Sequence, residues 1–157
     1  SNPKKLTVKN LSITSVEVLN HPVKDMGKRK IDVDGSFYIS GEDAQNIKEG
    51  EQIRLLGLGN ILITKQGEEL EGEHVKDGDI KSIPKIQWVS QKTAHEIKMI
   101  IPKILFINEK FNEDSLEEIT AYCEPHYLQI KDGDEIQFIR FGYCRKDSQN
   151  QAIFTHK

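Results

Sequence analysis

The sequence predicts a mainly β fold, a barrel or sandwich rather than an alternating βαβ fold. Three observations carry that expectation. Apolar and polar residues alternate with a period of two over long stretches. Asp-Gly pairs at Asp34-Gly35, Asp77-Gly78 and Asp132-Gly133 punctuate the β-rich runs, as hairpin-type turns do. The apolar fraction is only 36%, low for one compact globule and suited to small barrels with much exposed surface.

The elements follow in order. "LTVKNLSITSVEVLN" and "KRKIDVDGSFYIS" read as strands with a turn at Asp34-Gly35. "GEDAQNIKEGE" is the first helix candidate, capped by Ser40 with Asp43 three residues on and closed by Gly50. "EQIRLLGLGNILITK" reads as a strand pair broken at Gly57 and Gly59. "EHVKDGDIKS", "KIQWVS", "HEIKMIIPKILF" and "HYLQIKDGDEIQFIRFGYC" continue the β pattern. "NEDSLEEITAYCEP" is the second helix candidate, from its acidic start and terminal Pro125.

The chemistry of catalysis is missing from this pattern. "GLGNIL" begins like a dinucleotide loop but lacks the third glycine and the following helix that would cradle a phosphate. "HEIKM" lacks the second histidine of a helical zinc site, and the five histidines show no ligand spacing. No nucleophile sits in a recognisable elbow. No catalytic residue and no metal ligand is therefore expected; the chain reads as a binding module. Cys123 and Cys144 are expected as small buried hydrophobes in a reducing compartment. No run of about 18 apolar residues exists, so no membrane partner is expected.

Charge is segregated. Residues 1–30 carry seven lysines and arginines against Glu17 and Asp25, whereas the stretch from Glu109 to Glu135 is dominated by acids. A net charge of −3 excludes a uniformly basic nucleic-acid binder but permits one basic face.

"DEIQFIRFGYCRKD" poses a sharper question. A strand-like run holds a planar amide, Gln137, and a planar guanidinium, Arg140, three residues apart. Both groups make paired hydrogen bonds to flat polar edges, such as a nucleotide base or a carboxylate. Residues three apart on a regular strand point to opposite faces. If both touch one base, the strand must bulge, twist or end near Ile139.

Five motifs in register, "NHPVKDMGKRKI", "FYISGEDA", "EGEQIRLL", "IQWVS" and "QFIRFGYCRKD", resemble the C-terminal anticodon-binding region of glutamyl/glutaminyl-tRNA synthetases of the archaeal and eukaryotic type. "GEQIRLLGLGNILI" and "FGYCRKD" look closer to the archaeal glutamyl enzyme. The resemblance covers the whole chain, with "NPKKLTV" where the catalytic part would hand over. It implies two small antiparallel β-barrels, proximal and distal, with a few short helices. The split expected here is residues 1–35 plus 108–157 in one barrel and 36–107 in the other. It implies a fragment of a cytoplasmic glutamate–tRNA ligase whose ATP and magnesium are bound upstream, since neither a HIGH nor a KMSKS-type motif is present. The partners implied are the anticodon stem-loop of glutamate tRNA, with glutamine tRNA as a second candidate, and the upstream catalytic domain.

The resemblance also assigns roles. Gln137 and Arg140 match residues that contact the middle anticodon uridine in glutaminyl relatives, and Arg54 matches one at the first base. Lys24, Lys28, Arg29, Lys30, Arg145 and Lys146 are candidate phosphate contacts, or charges that keep a barrel soluble. Tyr38, Phe141 and Tyr143 are candidates for stacking on bases, or for the core. Trp88 is assigned to the core, and His21-Pro22 to a turn. The pair that reads the third base in glutaminyl relatives has no counterpart between Asp43 and Gly50, which would suit an enzyme charging both tRNAs with glutamate. Three alternatives stay open: the matching region of a glutaminyl-tRNA synthetase, a ribosomal-RNA binder, and a protein-docking module using the acidic face around Asp114–Glu118.

Overall fold

The computed structural model describes residues 3–20, 27–76, 78 and 81–157. His21, Pro22, Lys24 and Asp77 lie outside the described residues. The chain divides into two compact units, Pro3–Ala94 and His95–Lys157.

The first unit is built on a seven-stranded sheet. Its strands are β1 (Lys4–Lys9), β4 (Ser36–Ile39), β5 (Gln52–Leu55), β6 (Gly59–Lys65), β7 (Leu70–Val75), β8 (Lys85–Ile86) and β9 (Trp88–Ser90), in the spatial order β8-β5-β6-β7-β1-β4-β9. A separate antiparallel pair joins β2 (Ser15–Leu19) to β3 (Lys28–Asp32). Alternation decides which residues go inside. Leu6 and Val8 of β1, Phe37 and Ile39 of β4, and Ile53 and Leu55 of β5 are buried, while their neighbours Lys5, Thr7, Tyr38 and Arg54 are not. Each such burial stabilises by about 1.5–3 kcal/mol. Trp88 lies in this core, as its sequence suggests. Its ring packs edge-on against Phe37 at 5.1 Å, and its Nε1 donates to the Leu56 carbonyl at 2.8 Å.

The second unit carries a five-stranded sheet ordered β13-β10-β16-β15-β14. Its strands are β10 (His95–Pro102), β13 (Leu116–Cys123), β14 (Glu135–Phe138), β15 (Gly142–Ser148) and β16 (Gln151–His156). A short hairpin, β11 (Phe106–Ile107) with β12 (Lys110–Phe111), follows β10. A 3-10 helix, Pro125–Gln129, follows β13. Ile97, Met99, Cys123, Tyr127, Cys144 and Ala152 form the core. By contrast, Ile104, Leu105, Phe106, Ile107, Phe111 and Leu116 are all more than half exposed.

The mainly β fold, with few short helices and curled sheets, is as expected. Most pairings are antiparallel, but β1 with β7, β5 with β8 and β10 with β16 run parallel. The first helix forms as α1 (Gly41–Asn46), with the Asp43 amide donating to Ser40 Oγ at 3.0 Å. It stops short of Gly50, which takes a left-handed φ of 83° at the entrance to β5.

Three expectations are corrected. The second helix candidate is strand β13. Ile119, Ala121 and Cys123 point inward at spacing two, and all eight residues pair with β10. Its glutamates lie on this edge strand and pair with β10 lysines and its extension, Lys98–Glu118 and Lys103–Glu117, both at 2.9 Å. Charge on an edge guards it against pairing with another chain. Pro125 opens the 3-10 helix rather than closing an α-helix. The domain split also differs. β1 pairs with both β4 and β7, which holds residues 3–35 in the first unit. Finally, the two fully described strands that flank Asp34-Gly35 do not pair with each other: β3 belongs with β2 and β4 with β1.

Both thiols are buried, and burial pushes Cys123 from an ordinary value near 9 up to about 12 and Cys144 up to about 11. Burial likewise raises the Tyr127 hydroxyl to about 12. The folded state therefore keeps these protons longer than the unfolded chain does. Their contribution to stability is complete below about pH 9 and is lost as pH rises toward 12. Urea midpoints should fall steadily from pH 9 to pH 11 in a chain that is flat between pH 7 and 8.5. Iodoacetamide at pH 8 should label neither cysteine until urea unfolds the second unit.

Candidate nucleic-acid interface

The β14–β15 hairpin carries the two residues singled out in the sequence. Glu135 pairs with Arg145, Ile136 with Cys144, Gln137 with Tyr143 and Phe138 with Gly142. Ile136 and Phe138 pack on the core, so Gln137 is exposed on the outer face. The strand ends at Phe138, where the sequence required an end or a bulge if Gln137 and Arg140 were to act together. The turn is closed by the Phe141 amide donating to the Phe138 carbonyl at 2.9 Å. Arg140 sits in it with φ at 66°, a left-handed position usually taken by glycine. That conformation costs a bulky residue about 1–2 kcal/mol. Ending the strand frees Arg140 from strict alternation and leaves it exposed at the hairpin tip, one pair beyond Gln137.

The other residues of the hairpin sort by face. Tyr143, opposite Gln137, is half-exposed, and its ring stacks on His156 at 4.6 Å with 10° between the planes. Arg145 is exposed on the same face. Phe141 packs edge-on against Phe154 at 5.6 Å and lies at the margin of the core, the alternative offered for it beside stacking.

Lys146 is corrected as a phosphate contact. It points inward between Cys144 and Ser148 and is only 2% exposed. Its Nζ donates to the Ile130 carbonyl at 2.6 Å, lies 3.4 Å from Asp132 and stands 5.1 Å over the Tyr127 ring. A buried ammonium held this way cannot reach a phosphate.

In the first unit, Arg54 faces Asn60 across β5 and β6, and its Nη1 donates to Asn60 Oδ1 at 2.8 Å. Asn60 is 3% exposed, so the guanidinium is anchored at its base rather than waving on a surface. Sequence reasoning missed Asn60, although a lone amide inside "GLGNILI" was a signal. Lys28 and Lys30 are exposed on β3, with Lys28 lying 3.7 Å from Glu17. Arg29 turns to the other face, where its Nη1 donates to the Leu19 carbonyl at 2.7 Å and closes the β2–β3 ladder. Tyr38 is half-exposed on β4, opposite Lys5 and Val89. Gly57 lies in the turn and Gly59 opens β6, so "GLGNIL" runs strand to strand and offers ATP phosphates no helix N-terminus.

The chain belongs to the family described as "tRNA synthetases class I (E and Q), anti-codon binding domain", whose two models match residues 1–83 and 85–147. It is 70% identical over 156 residues to the glutamate–tRNA ligase of Nitrosopumilus maritimus, covering 99% of this chain and 27% of that protein. It is 44% identical to the glutamate–tRNA ligase of Cenarchaeum symbiosum, again over 99% of this chain and 27% of the relative. The ligase of Korarchaeum cryptofilum is 28% identical over 98% of the chain and 26% of its own length. The chain thus spans about a quarter of these curated relatives, at 26–27%.

The two kinds of lysine on this chain should separate in experiment. Lys146→Ala should lower stability by about 1–3 kcal/mol by orphaning the Ile130 carbonyl. It should leave the salt dependence of RNA binding unchanged. Lys28→Ala with Lys30→Ala should do the reverse, leaving urea midpoints in place and making the slope of log K against log salt shallower by about 0.7 per lost phosphate contact.

Proposed function

We propose that this chain is the anticodon-reading region of a glutamate–tRNA ligase, and that the β14–β15 hairpin reads the middle anticodon uridine. The observation that carries this is the placement of Arg140, a bulky residue held at φ 66° on an exposed tip, one pair from exposed Gln137. Backbone strain of this kind collects at functional sites. RNA sequence is read from unstacked loop bases through their edges. Uridine offers two carbonyl acceptors and one imino donor. Arg140 supplies donors only, while Gln137 supplies both kinds. Cytosine presents an amino donor in place of one carbonyl, so it would set donor against donor.

Arg54, anchored by Asn60, would take the first anticodon base. Lys28, Lys30 and Arg145, with Lys24, would lie along phosphates. The upstream catalytic domain, using ATP and magnesium in the cytoplasm, would attach glutamate once the anticodon fits. The exposed apolar residues from Ile104 to Leu116 favour a protein contact as well, and the rest of the same polypeptide is the partner proposed for it. Weak reading of the third base would let the enzyme charge glutamine tRNA too.

Binding of a glutamate-tRNA anticodon stem-loop tests the reading. Wild type should prefer uridine over cytosine at the middle position by about tenfold or more, the worth of one buried charge-assisted contact. Arg140→Ala and Gln137→Ala should each erase most of that preference. Equal binding of both loops by wild type would remove the assignment. Charging of glutamine tRNA by the full enzyme tests the third-base reading, and no charging would end it.

A further inference from the structure

The ring pair beside Gln137 has a geometry that the hairpin alone does not explain. Three residues form a row across the outer face of three strands: Gln137 on β14, Tyr143 on β15 and His156 on β16. Regular pairing would not make this row. Cys144 faces Phe154, so Tyr143 should face Thr155. The register shifts between Tyr143 and Cys144, and Tyr143 faces His156 instead. Gly142 permits the close approach of β16. A Cβ there would meet the His156 carbonyl oxygen at 2.6 Å and Phe154 Cε2 at 2.7 Å. The bulge re-aims a side chain, a use to which bulges near functional sites are put.

The histidine ring is then fixed by hydrogen bonding. Thr155 Oγ1 donates to the Tyr143 carbonyl at 3.0 Å, and the same oxygen lies 3.1 Å from His156 Nδ1. A carbonyl only accepts, so the single hydroxyl proton goes to Tyr143 and the oxygen accepts from Nδ1–H. The ring is held at both its Nδ1 edge and its stacked face. Neither ring belongs to the core set that Phe138, Phe141 and Phe154 pack against.

We propose that Tyr143 and His156 form a two-ring platform for a single RNA base. Tyr143 takes the base on its face turned away from His156. Gln137 is the cross-strand neighbour of Tyr143 on that side, so a base stacked on Tyr143 would lie next to its amide. His156 backs the Tyr143 ring and sets its orientation; it is a positioning residue. The inference rests on the anticodon reading above and extends it: the base is recognised by its π-face as well as by its edge.

The two components can be separated chemically. Dihydrouridine keeps both carbonyls and the imino proton of uridine but loses the aromatic face. The 157-residue chain is titrated by NMR, which detects millimolar affinities, with anticodon stem-loops carrying uridine, dihydrouridine or cytosine at the middle position. Wild type should bind the uridine loop at least about fivefold more tightly than the dihydrouridine loop, the lower end for base–aromatic stacking. His156→Ala should bring that ratio toward one while keeping uridine over cytosine, and His156→Phe should restore it. A wild-type ratio of one, with uridine still preferred over cytosine, overturns the platform and leaves the edge reading intact. An unchanged ratio in His156→Ala overturns the role of His156. Equal binding of all three loops, or binding of none, sinks the platform and the anticodon reading together.

Discussion

The buried ammonium of Lys146 ties β15 to the segment that leads into β14. Its side chain binds the Ile130 carbonyl at the end of the 3-10 helix and lies 3.4 Å from Asp132 in the next turn. Its backbone bonds both ways to that turn, accepting from the Gly133 amide at 2.7 Å and donating to the Asp134 carbonyl at 2.9 Å. One residue therefore fixes where β14 begins against β15. A strand has a period of two, so a slip by one residue would turn Gln137 inward and Ile136 outward. The outward placement of Gln137 depends on this register, and buried Lys146 is one of the contacts that hold it. A methionine could fill the volume but could not satisfy the carbonyl. That is why a lysine, costly to bury, fits at this point of an otherwise apolar core.

Much of this was legible in the sequence, and the limits are physical. Alternation predicted the inside and outside of β1, β4 and β5, and Ser40 announced α1, because those signals are local. Tertiary pairing decided the rest. In β13, Glu117, Glu118 and the preceding acids argue for a helix start, but the inward spacing of Ile119, Ala121 and Cys123 and the partner strand β10 prevail. Lys146 reads as surface charge until the register of β15 is known. The unit boundary could not be seen because β1 and β7 pair in parallel across some sixty residues, Leu6 with Leu70. Gln137 and Arg140 were visible as a pair, and so was the need for the strand to end. His156 was not visible at all. Its place opposite Tyr143 depends on a one-residue bulge and on a glycine fourteen positions earlier.

The same distinction bears on how such a chain would recognise RNA. Of the cations that looked available, Lys146 closes the core and Arg29 closes the β2–β3 ladder. Lys28 lies near Glu17, and Arg145 stands opposite Glu135. Exposed Lys28, Lys30 and Arg145 remain for phosphates, a small set on a chain of net charge −3, so counterion release, the term that dominates sequence-blind binding, stays modest. What the proposed reading face would offer instead is directional: an amide, a guanidinium held at an unusual backbone angle, and a backed ring. Directional groups discriminate without gripping. A region that gripped any RNA would slow the rejection of wrong tRNAs. A region that contributes little non-specific affinity makes the complex depend on the fit of the bases, and that dependence is what an anticodon reader requires.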